Sequence, residues 1–228
     1  MIRVTENLRV IRDLLAKACI DAGRGDSTVK LLAVSKKQPI SAILAAAEAG
    51  QRDFGENFVQ EALGKIAAAG RNDLIWHFIG HLQTNKTRTV ATHFDWVHTV
   101  DRLKIAQRLS SQRPAEMDDL NICLQVNIDN EAAKSGVPAD EVLALATSIA
   151  KLPRIRLRGL MCLPENRSDG QGQRVPFARL RELLELLKQD GLEVDTLSMG
   201  MSGDYAAAIA EGSTIVRIGT AIFGARPT

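Results

Sequence analysis

No apolar run in the chain approaches the length of a membrane span, and the first residues, MIRVTENLRVIRDLL, carry charge throughout and hold no apolar core of a secretory signal. The expectation is a protein that neither crosses a membrane nor is exported. Charge of one sign is equally scarce. The 29 Lys and Arg against 27 Asp and Glu leave a net charge of +2, too small to point to a nucleic-acid or membrane-surface partner. Cysteine is sparse and unpatterned: Cys19, Cys123 and Cys162 are odd in number and form no CxxC pair, which fits free thiols in a reducing, cytoplasmic setting. Cys123 lies inside an apolar run and is read as a packing residue. His77, His81, His93 and His98 show no HExxH spacing and no cysteine at a complementary interval, so no metal site is expected. His77 and His81 flank the end of a strand-like run, where a hydrogen-bonded structural role outweighs a ligand contact. No Pro/Gly/Ser-rich linker or shift in composition marks a domain boundary.

What is present is a regular alternation. Of 228 residues, 45% are hydrophobic and 25% charged, enough for one large domain. Arg3–Ala22 reads as an amphipathic helix, with Val4, Leu8, Ile11, Leu15 and Ala18 on one stripe and Gly23 and Gly25 as its stop. Strand-like runs follow at Lys30–Ser35, Arg52–Phe54, Leu74–Ile79, Phe94–Thr99, Asn121–Val126, Ile155–Leu160, Val194–Leu197 and Ser213–Ile218. Helix-like runs lie between them at Ser41–Ala49, Phe58–Ala69, after Asp101-Arg102 through about Ser110, and at Ala139–Ala150, Phe177–Lys188 and Asp204–Glu211, and Ala221–Gly224 closes the chain. Gly55-Glu56-Asn57 and the stretch Gly80 to Lys86 read as polar loops, and Pro164–Arg174, rich in Gly, Asn, Ser and Asp, as a mobile one.

Short continuous apolar runs closed by turn signals are strands buried on both faces, as in parallel sheets. Alternating βα units without a break predict a (β/α)8 TIM barrel with an extra N-terminal helix, as one domain over residues 1–228. A doubly wound open sheet is the alternative, weakened because neither GxGxxG nor GxxxxGK[ST] follows the first strand.

In a barrel the polar segments after the strands share one rim, where ligands bind. Lys36 ends the run LLAVSKKQP there. The loops after the last two strands, Ser198-Met199-Gly200-Met201-Ser202 and Arg217-Ile218-Gly219-Thr220, offer backbone N–H groups, hydroxyls and a helix start to an anion. A lysine and a phosphate cradle on one rim suggest pyridoxal 5′-phosphate (PLP), whose aldehyde condenses with an amine. Strand alternation aims Arg217 either into the barrel or out between helices. If inward, it could face the pyridine nitrogen and, being always protonated, would donate to it, leaving the ring a weak electron sink. Lys37 would add positive charge or point to solvent. Lys134 is a candidate second PLP or effector contact.

The segments AVSKKQP (33–39), FGENFVQE (54–61), WHFIGHLQTNK (76–86), HTVDR (98–102), VNIDNEAAKSG (126–136), LRGLMCLP (157–164) and LSMGMSGDYAAAIAEGSTIVRIGTAIFGAR (197–226) resemble the pyridoxal phosphate homeostasis protein family. The family looks like the barrel domain of alanine racemase, fold type III, without that enzyme's β domain. The resemblance implies Lys36 as the Schiff-base lysine, Ser198, Gly200, Ser202, Gly219 and Thr220 on the phosphate, Arg217 at the ring nitrogen, and Asn57 in a loop on the cofactor side. Where the family often has Thr and Lys after the Schiff-base lysine, this chain has Lys37 and Gln38. Register assigns the role to Lys36, which directly follows AVS. Cys162 replaces a commoner small residue.

The resemblance implies a monomeric binder of PLP, a reservoir or carrier that influences amino-acid and keto-acid metabolism, with PLP-dependent apo-enzymes as candidate recipients and no established catalysis. Racemisation needs acid and base groups on both cofactor faces, and the single tyrosine here is Tyr205, after the phosphate loop. A low-activity PLP-dependent amino-acid racemase is the alternative reading, and a sugar-phosphate barrel enzyme without PLP a third.

Overall fold

In the computed structural model, which describes residues 2–131, 135–165, 167 and 170–225, parallel strands close into a barrel in chain order: β1 (Lys30–Val34), β2 (Asp53–Glu56), β3 (Ile75–Phe78), β4 (Trp96–Val100), β5 (Leu120–Val126), β6 (Ile155–Cys162), β7 (Thr196–Ser198) and β8 (Ile215–Ile218). β8 pairs back onto β1 through Lys30↔Ile215, Leu31↔Val216, Leu32↔Arg217 and Ala33↔Ile218, so the open doubly wound sheet is excluded. The helices are α1 (Ile2–Asp21), α2 (Ile40–Glu48), α3 (Val59–Ala69), α4 (Thr87–His93), α5 (Leu103–Gln112), α6 (Val142–Ile149), α7 (Gly170–Gln189), α8 (Tyr205–Ala210) and α9 (Thr220–Phe223).

Side-chain alternation divides the core in two. Leu31, Ala33, Phe54, Trp76, Phe78, Ile122, Leu124, Leu197, Val216 and Ile218 face outward and pack under the helices. Leu32, Trp96, Cys123, Met161 and Ile215 meet inside the barrel with Ile75 and Ile79. The inward positions of β3, β4, β7 and β8 carry His77, His98, Ser198 and Arg217 instead, all buried. α8 and α9 have only 6 and 4 residues, and α1 packs against them and against α2. Its Val4, Leu8, Ile11, Leu15 and Cys19 are buried, Asn7 Nδ2 donates to Ile222 O at 2.8 Å, and Ala18 sits half-buried at the stripe's edge.

Some expectations differ from the structure for local reasons. Gly55 and Glu56 belong to β2 and are not loop, because Asp53–Glu56 completes the ladder with β3. α4 has no counterpart among the helix-like runs, since TRTVATH is rich in β-branched residues and buries only Thr87, Val90 and Ala91. Of the expected loop Pro164–Arg174, positions 166, 168 and 169 lie outside the described residues, and α7 already starts at Gly170 with Pro176 inside it. Pro176 offers no N–H to Gly172 O four residues back, and Arg167 Nη1 reaches that carbonyl at 3.5 Å.

Candidate functional site

β1 ends at Val34, and its alternation carries on so that Val34 and Lys36 both face a cleft of about 300 Å³ at the carboxyl ends of the strands. A turn fixes this. Gln38 N donates to Ser35 O at 3.0 Å, and Lys37 holds φ at +59°, the left-handed value a type II turn needs at its third residue. A non-glycine residue there costs about 1–2 kcal/mol. Lys37 is exposed and does not line the cleft.

Two clamps hold the turn. Lys65, buried under α3, donates from Nζ to Ser35 O at 2.7 Å, to Glu56 Oε1 at 2.8 Å and to Glu61 Oε1 at 2.5 Å. Glu61 Oε1 also accepts from Lys37 N at 2.5 Å, and Glu56 Oε1 accepts from Ser35 Oγ at 2.6 Å. Burial pushes the Glu56 carboxyl above its ordinary range, against the pull of Lys65 and Ser35.

Around the cleft stand Asn57 after β2, Ser202 and Gly203 after β7, Arg217 from β8, and Gly219 and Thr220 beyond it. Ser202, Gly203, Gly219 and Thr220 donate no backbone hydrogen bond within the described fold, which leaves four N–H groups and two hydroxyls for an anion. Asn57 Oδ1 is buried without a partner among the described residues. Arg217 points inward. Its Nη1 donates to Ser198 O at 2.6 Å and to Ser198 Oγ at 2.8 Å, and its Nη2 donates to Cys162 O at 2.9 Å. These acceptors are neutral, so the guanidinium keeps its charge at the cleft floor, although burial draws its pKa down.

The expected site residues thus separate. Lys36, Asn57, Ser202, Arg217, Gly219 and Thr220 line one cleft, while Ser198, Met199 and Gly200 do not. Ser198 is buried and its hydroxyl lies between His98 and Arg217. Met199 is a core residue whose carbonyl accepts from Ser213 Oγ at 2.7 Å. Gly200 sits at φ +95°, where a Cβ would come within 2.7 Å of Ala208 Cβ, so it serves the approach of α8. Asp204–Glu211, expected as a full helix start for the anion, is the six-residue Tyr205–Ala210. Tyr205 packs against the core and is not in the cleft lining. Lys134 lies outside the described residues. Residues not anticipated at the cleft are Gln38, Ile79 and Leu163.

Below Arg217 the polar interior is continuous. Lys30 Nζ donates to Asp53 Oδ1 at 2.9 Å, His77 Nε2 lies 3.0 Å from the same oxygen, His77 Nδ1 lies 2.9 Å from His98 Nε2, and His98 Nδ1 lies 2.7 Å from Ser198 Oγ. Burial pulls both imidazoles below their ordinary pKa, His98 furthest, with Arg217 and Lys30 adding to the effect. Burial would raise Asp53, but His77 and Lys30 hold it low. His81 is exposed, with Ser135 Oγ 3.5 Å away, and His93 Nδ1 meets Thr89 O at 3.0 Å. No group of His, Cys, Asp or Glu among the described residues could hold a metal. Cys123 and Cys162 are buried thiols pushed up to about 12 and are unreactive.

These shifts set an acid limit. The unfolded chain takes up protons on both imidazoles below about pH 6.5, whereas the fold keeps them neutral, so stability is full above that pH and falls below it. The slope is up to about 1.4 kcal/mol per pH unit for each histidine. Lowered Asp53 adds a loss only in stronger acid. Raised Glu56 acts the other way, since its burial penalty disappears once it is protonated. Urea unfolding at pH 8, 7, 6 and 5 is expected to show a constant midpoint above pH 7 and a falling one beneath it; a flat profile to pH 5 contradicts neutral buried imidazoles.

With this geometry in place, comparison with known proteins gives consistent results. Residues 3–227 match the family described as alanine racemase, N-terminal domain. A pyridoxal phosphate homeostasis protein of Pseudomonas aeruginosa is 56% identical over 226 residues, covering 99% of this chain and 97% of the relative. PipY of Synechococcus elongatus PCC7942, solved with PLP bound, superposes with a TM-score of 0.85 at 37% identity, covering 97% of this chain and 100% of PipY. Alanine racemase of Corynebacterium glutamicum, at 18% identity, shares the fold with a TM-score of 0.72, and the match covers 99% of this chain and 62% of the racemase.

Proposed function

The chain belongs to the alanine racemase N-terminal domain family and, within it, to the pyridoxal phosphate homeostasis proteins, and from that premise we propose that it binds PLP in the cleft that holds Lys36. It serves intracellular PLP homeostasis as a cofactor reservoir or carrier. One observation carries the assignment of residues: the same cleft brings together an amine, a row of unused N–H donors and a buried guanidinium. PLP needs each of the three, for its aldehyde, its phosphate and its ring nitrogen. Lys36 would hold the aldehyde carbon, Ser202, Gly203, Gly219 and Thr220 the phosphate, and Arg217 the nitrogen. Asn57, with its unpartnered buried oxygen, would take a donor on the cofactor. When bound, PLP supplies an electrophilic carbon and an electron sink. Arg217 cannot give up its proton to the ring, so that sink stays weak.

Binding without turnover is the reading we favour. The titratable groups of the described cleft lining are Lys36 and Arg217, and a racemase of this kind needs an acid and a base on opposite faces. The protein is read as one PLP-binding barrel over residues 1–228, monomeric and cytoplasmic, handing its cofactor to PLP-dependent apo-enzymes. Its described cysteines are free and buried, and no described helix is long and apolar enough to cross a membrane. Titrating PLP into the purified protein is expected to give one saturable near-visible absorption band per chain, with no α-proton exchange from amino acids into deuterated solvent at catalytic rates. A protein that stays colourless contradicts the binding, and rapid exchange restores the racemase reading.

A further inference from the structure

We infer that Asp53, His77, His98 and Ser198 form a one-way hydrogen-bond relay across the barrel interior that holds Ser198 Oγ as an acceptor and so anchors the Arg217 guanidinium at the cleft floor, which makes His77 and His98 positioning residues. The relay rests on the PLP reading only for the identity of the acceptor Arg217 faces.

Its direction follows from what each atom can give. The Asp53 carboxylate only accepts, so the hydrogen 3.0 Å away sits on His77 Nε2. Neutral His77 then has a lone pair on Nδ1, and the hydrogen in the 2.9 Å contact belongs to His98 Nε2. His98 Nδ1 is left to accept, and Ser198 Oγ–H is the donor at 2.7 Å. With its hydrogen committed, Ser198 Oγ can only accept, and Arg217 Nη1 donates to it at 2.8 Å. Every polar atom in the relay is satisfied with both rings neutral. A second proton on His77 would set Nδ1–H against the Nε2–H of His98.

Burial and the nearby cations favour that state: Lys30 acts on both rings and Arg217 on His98, against the pull of Asp53 and Asp95 towards a charged His77. Trp96 stacks on His77 at 5.5 Å and 12°, which holds the ring plane. The relay therefore links the anionic end at Asp53 to the cationic end at Arg217 through hydrogen bonds that polarise one another. Among its members only Arg217 lines the cleft; Asp53 and Lys30 line a separate depression beyond the other end of the strands.

The test is long-range ¹H–¹⁵N correlation NMR on ¹⁵N-histidine protein between pH 5.5 and 8, which reports each tautomer. His77 and His98 are both expected as neutral Nε2–H forms throughout. A charged ring or an Nδ1–H form at His98 in the native protein overturns the relay. In Asp53→Ala, Lys30 Nζ can take over as donor to His77 Nε2, which forces Nδ1–H on both rings. His98, which does not touch position 53, is then expected to switch tautomer, and an unchanged His98 signal overturns the coupling. If that variant fails to fold, the native spectrum decides the direction alone. Adding PLP is expected to shift the His98 nitrogens and leave those of His93 in place. Bound PLP without a His98 shift overturns the link to the cleft. A chain that binds no PLP overturns the cofactor reading, and the tautomers still decide the relay.

Discussion

Lys36→Ala is expected to abolish covalent capture of PLP and with it the near-visible absorption band, with residual affinity falling at least about tenfold, roughly 1.4 kcal/mol. Lys37→Ala is expected to keep both. The difference is geometric. Lys36 continues the inward alternation of β1 and lines the cleft with Arg217 and the loops after β7 and β8, whereas Lys37 stands exposed on the outer side of the turn. Without the Lys36 amine the phosphate and ring contacts remain, so weak reversible binding persists while the band is lost. Lys37→Ala removes an exposed side chain, and its stability effect is expected within about 0.5 kcal/mol. Loss of the band in Lys37→Ala with retention in Lys36→Ala reverses the assignment.

Lys65→Met is expected to destabilise the fold by about 3–5 kcal/mol, because it leaves Glu56 buried without its counter-ion. Glu56 is fully buried, one of its carboxylate oxygens has no partner among the described residues, and Lys65 supplies the charged contact to the other. The same substitution frees Glu61, which clamps Lys37 N and so supports the left-handed turn. PLP capture is therefore expected to weaken as well, although Lys65 is not in the described lining of the cleft. The double variant Glu56→Gln/Lys65→Met removes both charges and is expected to recover more than half of the lost stability. Chemical denaturation of the native protein, Lys65→Met, Glu56→Gln and the double variant gives the coupling; additive effects, with no recovery, contradict a buried ion pair.

Much of the architecture is legible in the sequence, because a barrel strand buried on both faces announces itself locally. Leu31 to Val34 stops at Ser35, and Ile215 to Ile218 stops at Gly219, with a polar loop on the same rim each time. The elements misplaced are those without a local signal. α4 has too few apolar residues to show a helical period, and α7 admits a proline because an arginine guanidinium reaches the carbonyl it strands. Lys36 and Arg217 could be picked out because each sits at or beyond a strand end, and alternation leaves only two directions for the arginine.

The supporting layer is not legible. Glu56 reads as part of a polar loop and Lys65 carries no signal beyond its place in a helix-like run, and only the packing of α3 on β2 buries them together. His98 and Ser198 are 100 positions apart and meet across the barrel interior. Ser198 was expected on the phosphate since a serine before a glycine loop suits that role. Strand alternation over Thr196–Ser198 turns it inward instead, where Arg217 and His98 claim its hydroxyl. Such contacts depend on the register between strands that are not neighbours in the chain, which composition and period do not encode.

Borohydride reduction of the PLP-loaded protein, followed by peptide mapping of the fixed adduct, tests the cleft most directly. The expected result is one pyridoxyl group per chain, on Lys36. A group found on Lys37 or spread over surface lysines, with Lys36 unmodified, contradicts it.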